Sequence, residues 1–197
     1  LGSGYWLRFN EEGESSINGL EVNSLDISME EGWNLISGIT APINVNEIVD
    51  LSDIIVSGTI YGYSPEGYVS AFALDPGYGY WIRSSDEGVI TIQNTGALSK
   101  NTVNELSLNL ENMNNIKFNG FVLYFGGSVS EDEMLSFSLP PKPPVGGFDV
   151  RYSGDWKYCK EYGEIEIMNP GKEIILNYEI IDEEKWFLKD PVTNDVL

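Results

Sequence analysis

Apolar positions in this chain alternate with polar ones far more often than they recur at helical spacing. Leu25, Ile27 and Met29 are interleaved with Asp26 and Ser28, the period-2 pattern of a strand with one wet face. Residues 4–9 (Gly-Tyr-Trp-Leu-Arg-Phe) alternate in the same way and are rich in aromatics, and the turn Glu30-Glu31-Gly32 leads into another expected strand, residues 33–38 (Trp-Asn-Leu-Ile-Ser-Gly). Residues 59–63 and 68–73 flank Ser64-Pro65-Glu66-Gly67 and predict a hairpin. After the turn Asp75-Pro76-Gly77 comes a strand, Gly79-Tyr80-Trp81-Ile82-Arg83, and residues 89–92 are expected to pair back on it across Asp86-Glu87-Gly88. Only residues 44–52 suggest a helix before residue 100, with Val45, Ile48 and Val49 on one face and Asn44 as the N-cap. Further strands are expected at 121–125, 148–152, 165–167, 174–180 and 186–188.

A repeat runs through this pattern. Gly4, Tyr5, Trp6, Leu7, Arg8, Glu12 and Gly13 recur as Gly79, Tyr80, Trp81, Ile82, Arg83, Glu87 and Gly88, at a constant offset of 75 residues. The chain therefore reads as beginning inside a repeating unit. Val22–Ile27 is echoed more faintly by Val103–Leu108. If the copies are equivalent, Trp6 and Trp81 should both lie on a buried side, with Arg8 and Arg83 at the rim of the same face. Residues 139–147 (Leu-Pro-Pro-Lys-Pro-Pro-Val-Gly-Gly) break the pattern, because clustered prolines impose a stiff polyproline path that cannot join a central strand. Too few strands lie on either side for separate cores, so the segment reads as a rigid crossover inside one sandwich. The expectation is all-β: two sandwich-like, Ig-like domains, residues 1–100 with one short helix and 101–197 containing the crossover.

Composition narrows what such a fold can do. Lys and Arg number 11 against 31 Asp and Glu in 197 residues, a net charge of −20 that repels nucleic acid and anionic membranes. No apolar run approaches the length of a spanning helix, so membrane insertion is not expected. Histidine is absent, which removes the commonest general base and metal ligand. The single cysteine, Cys159, has no partner for an internal disulfide. Carboxylates crowd into turns rather than facing pairs, and neither a nucleophile elbow nor a phosphate loop occurs, so no catalytic residue and no enzyme is expected.

Two candidate sites remain. Asp50 and Asp53, or Glu131, Asp132 and Glu133, are the oxygen donors available to calcium, although neither set matches a twelve-residue calcium loop; no other cofactor is expected. Tyr61, Tyr63, Tyr68, Tyr78, Tyr80 and Trp81 crowd into 21 residues and form either core or a platform for sugar rings. Alternation puts Tyr78, Tyr80 and Ile82 on one face and Trp81 on the other, so one set should be core.

Gly32-Trp33-Asn34-Leu35-Ile36-Ser37 followed by Leu74-Asp75-Pro76-Gly77-Tyr78-Gly79-Tyr80-Trp81-Ile82 resembles a β-rich repeat of secreted bacterial surface proteins. Leu123–Gly126, Leu139–Pro144 and Phe148–Tyr152 are similar to the segment preceding the sorting domain of large type IX-secreted proteins. The resemblance implies export to the cell surface or beyond and a large multidomain architecture; it carries over no catalytic residue. Two functions fit: a non-enzymatic structural or adhesive domain that assembles with neighbouring copies through strand edges, or a glycan-binding module using the aromatic row.

Overall fold

The computed structural model describes residues 1–14, 16, 18–94, 110, 113–171 and 173–196. The fold is all-β. In the N-terminal part a four-stranded sheet has the order β2 (Gly32–Ser37), β7 (Gly79–Ser84), β4 (Ile55–Ser64) and β5 (Gly67–Ser70). A ribbon of β1 (Ser24–Met29) and β8 (Gly88–Gln93) packs on one face of it. Ile27, Met29, Ile90 and Ile92 from the ribbon meet Ile36, Tyr80 and Ile82 from the sheet in one core. A short pair, β3 (Ile43–Asn44) and β6 (Ala73–Leu74), closes its end.

The C-terminal part repeats the two-layer plan. A sheet of order β12 (Tyr158–Cys159), β10 (Phe121–Phe125), β9 (Asn114–Phe118) and β14 (Leu176–Glu179) covers the pair β11 (Asp149–Tyr152) and β13 (Ile165–Met168). Ile116, Phe118, Leu123 and Phe125 pack there against Phe148, Val150 and Tyr152. β9 and β10 are joined by Asn119-Gly120, both at positive φ (50° and 94°), the two-residue turn whose twist matches a hairpin. No strand was expected at residues 114–118, although the Asn-Gly pair after them is a strong hairpin signal.

Several expectations are corrected. Residues 4–9 do not form a strand; only Ser3 bridges to Ile36 on the outer edge of β2. β8 pairs with β1 rather than β7, because β2 and β4 already occupy both edges of β7. Residues 44–52 hold one 3-10 turn, Val45–Glu47, capped as expected by the Asn44 side chain. The one α-helix among the described residues, α1 (Glu131–Met134), lies in the C-terminal part. Its cause is a capping box: Ser130 Oγ accepts from the Glu133 amide while the Glu133 carboxylate accepts from the Ser130 amide. Residues 186–188 are not a strand. The boundary expected near residues 94–104 and the echo at 103–108 lie outside the described residues, Asn94 apart.

Candidate functional site: an aromatic joint and the slot beside it

The central sheet of the N-terminal part is buried on both faces. Strand parity sends Ile36, Ile60, Tyr80 and Ile82 to the core and Trp33, Tyr61, Tyr63 and Trp81 to the opposite side. There the aromatic row meets the C-terminal part. Tyr61 and Tyr68 are 3% exposed and cluster with Leu139, with Trp33, Tyr63, Trp81 and Phe121 packed around them. Ring centroids of Tyr63 and Tyr68 lie 5.3 Å apart, edge to face, and those of Tyr61 and Tyr68 6.3 Å apart. Such pairs contribute about 0.5–1.5 kcal/mol each beyond the area they bury.

The proline stretch is what the row grips. Pro140 and Pro143 are buried, while Pro141, Lys142 and Pro144 face solvent. Tyr68 Oη donates to the Pro141 carbonyl (2.7 Å) and Tyr63 Oη to the Phe148 carbonyl (3.1 Å). Lys157 Nζ donates to Tyr61 Oη (2.7 Å) and sits 5.3 Å from the centroid of that ring. Burial pushes the Tyr68 and Tyr63 hydroxyls well above the usual phenol range, so both remain donors.

Behind the stretch, Arg151 Nη1 donates to the Pro140 carbonyl (2.8 Å) and to Asp155 Oδ1 (2.7 Å). Its Nε and Nη2 form a bidentate pair with Asp149. Arg151 and Asp149 side chains are 0% and 2% exposed. Burial opposes the guanidinium charge, but the Asp149 and Asp155 carboxylates overcome it and raise the Arg151 pKa. Leu139, at the head of the proline stretch, supplies the apolar contact with Tyr61 and Tyr68, and the Pro141 carbonyl supplies the polar one. The residues were visible separately in the sequence; no local signal linked them.

The six aromatic candidates therefore do not line up as an exposed platform. Tyr61, Tyr63, Tyr68 and Trp81 go to the joint, and Tyr80 goes to the core, where its hydroxyl accepts from the Asp75 amide (2.8 Å). Only Tyr78 stands free, 66% exposed. The two copies of the repeat motif also part company. Trp81 is half-buried in the joint, whereas Trp6 is 40% exposed and touches Tyr63 edge to face at 4.9 Å.

The acidic candidates are not gathered into a ligand set: among the described residues no three His, Cys, Asp or Glu side chains converge. Asp50 Oδ2 accepts from the Ile55 amide (2.7 Å), and Asp53 occupies a left-handed backbone position beside it in sequence. Glu131, Asp132 and Glu133 fill the exposed first turn of α1, where carboxylates favour the helix dipole. Cys159 is half-buried; burial raises its pKa, with the Tyr152 hydroxyl hydrogen bond pulling the other way. No helix among the described residues is long and apolar enough to cross a membrane. No family model, curated protein or solved structure matches the chain.

Proposed function

We propose that this chain is a non-catalytic, stiff building block of a larger secreted or cell-surface protein, structural or adhesive in role. The observation that carries the reading is the joint. The proline stretch is tied to the tyrosine row by Tyr68 at Pro141 and by Leu139, Tyr63 bonds Phe148 just after it, and Arg151 holds Pro140 from β11, so a segment that would otherwise make a tether is fixed at both sides. A module that displays or anchors other domains is served by that stiffness. The motifs resembling surface repeats support the extracellular setting.

Assembly with neighbouring copies belongs to the same proposal. β5 and β14 are edge strands, with Val69, Leu176 and Tyr178 exposed on them. Edges of that kind accept another strand unless charge keeps partners apart, and a chain of net charge −20 supplies that repulsion at low salt. Raising ionic strength shortens the Debye length from about 30 Å at 0.01 M to about 8 Å at 0.15 M. Sedimentation velocity across that range, with electron micrographs of the same samples, is the test. Assembly that grows with salt and protein concentration is expected. A monomer at every salt and concentration would refute the self-assembly.

A further inference from the structure

The two copies of the Gly-Tyr-Trp motif, 75 residues apart in sequence, meet in space. Gly4 passes over the edge of β2 with no room for a side chain: a Cβ there would sit 2.6 Å from the Ile36 carbonyl oxygen and 2.8 Å from Leu35 Cγ. Its Cα lies 3.9 Å from the position a Cβ on Gly79 would take, so the equivalent glycines of the two copies face each other. Beyond this crossing β4 and β7 diverge. Their register runs through Ile60↔Ile82 and Tyr61↔Trp81 and stops, while β4 continues with β5 to Ser64.

The divergence leaves a slot of about 550 Å³. Tyr5 and Trp6 of one copy, Trp81 of the other and Tyr78 just before it contribute to its lining, as does Gly62, which has no side chain. Asp75 is the one charged side chain among its described lining residues. The slot is an open cleft whose volume falls in the range of small-molecule sites, and its lining is an apolar majority with a few polar groups.

We propose that this slot binds a pyranose ring of a neutral oligosaccharide. Aromatic faces suit the C–H face of a sugar ring, and the phenols of Tyr5 and Tyr78 and the carboxylate of Asp75 can bond its hydroxyls. The described lining residues include no Lys or Arg, and the chain carries −20, so uronates, sialic acids and phosphorylated ligands are disfavoured. Exposed rings are otherwise without use here: Tyr5 is 77% exposed and Tyr78 66%, and neither ring enters a core. Such a ligand class gives the adhesive side of the proposed function a site. The binding proposal stands on the slot alone, whether or not copies assemble.

The test is calorimetric titration of the whole chain with cellohexaose, xylohexaose, laminarihexaose and chitohexaose, with oligogalacturonate as the anionic comparison. Saturable binding of at least one neutral oligosaccharide, and none of oligogalacturonate, is expected. Tyr5→Ala and Tyr78→Ala should each weaken it by about 2- to 12-fold, the equivalent of one aromatic contact. Both rings are solvent-exposed, and unchanged urea unfolding curves would confirm that the variants fold. Three results would overturn the proposal: no neutral oligosaccharide binding at millimolar concentration, binding unaffected by the Tyr5→Ala/Tyr78→Ala double variant, or tighter binding of the anionic chain. Sedimentation of the same samples separates this outcome from the fate of the assembly proposal.

Discussion

Arg151→Met takes a cation out of a site closed to water. In the native protein the guanidinium makes four hydrogen bonds: two to Asp149 at 2.5 and 2.8 Å, one to Asp155 at 2.7 Å and one to the Pro140 carbonyl at 2.8 Å. Methionine fills much of the same volume but leaves the Asp149 carboxylate, 2% exposed, facing no positive charge. Asp155 is 54% exposed and simply rehydrates. The loss is therefore governed by the stranded carboxylate, and removing one member of a buried ion pair costs about 3–5 kcal/mol. Against the roughly 5–15 kcal/mol that holds a domain together, that is a large fraction. In urea unfolding followed by tryptophan fluorescence, a denaturant slope of about 2 kcal/mol/M converts the loss to a midpoint lower by roughly 1.5–2.5 M. Arg151→Met/Asp149→Leu removes both charges and should recover most of the midpoint, because a buried pair is often replaceable by apolar side chains at little cost. A midpoint drop under about 0.5 M for the single variant, or a double variant less stable than the single, would refute the reasoning.

Other outcomes test the joint, the crossing and the acid response. Leu139→Ala, at a position 1% exposed, should lose about 2–5 kcal/mol, and Tyr68→Phe about 1 kcal/mol for the bond to Pro141; either should make residues 139–147 a protease target, and continued resistance would count against the clasp. Gly4→Ala should release the N-terminal segment to protease and cost about 1–3 kcal/mol, whereas Gly13→Ala, with open space around it, should do neither. For acid, Glu166 is held below the usual carboxylate range by its bond from Lys142 and then by Ser153, and Asp182 by its bond from Asn114. With folded values below the unfolded ones (4.5 for Glu, 3.8 for Asp), their contribution is complete above those values and drains away as pH falls through the depressed ones. Melting temperature should thus be level near neutrality and decline in acid, with a shallower decline in Glu166→Gln/Asp182→Asn; an identical acid limb in that variant would contradict the assignment.

How much of this was legible beforehand depends on whether the information is local. Alternation located β1, β7 and β11, because a half-buried strand writes its two faces directly into successive residues, and apolar runs located β2 and β10. The same rule separated Tyr80 from Trp81 correctly, although it did not say what lay on Trp81's side. The Asn119-Gly120 hairpin and the Ser130–Glu133 capping box were also local, and their signals went unread. Sequence likeness misled where it outran environment. Tyr5 and Leu7 match Tyr80 and Ile82, yet the first pair is 77% and 75% exposed and the second 6% and 0%. A strand forms only where neighbouring edges satisfy its backbone. Copy two lies between β2 and β4, while copy one finds a single bridge at Ser3.

By itself, then, the sequence determined an all-β chain, its strand faces, the stiffness of the proline stretch and the charge that shapes its choice of partners. Those follow from period, backbone chemistry and counting, none of which needs a fold. Only the tertiary structure decided that β8 crosses to β1, that the tyrosine row packs on Leu139 and bonds Pro141, and that Gly4 meets Gly79 beside an aromatic slot. Each is a contact between residues far apart in the chain. Which of many apolar and aromatic surfaces pair is set by shape, by competition for strand edges and by the hydrogen bonds left to satisfy, and none of these is written at any one position.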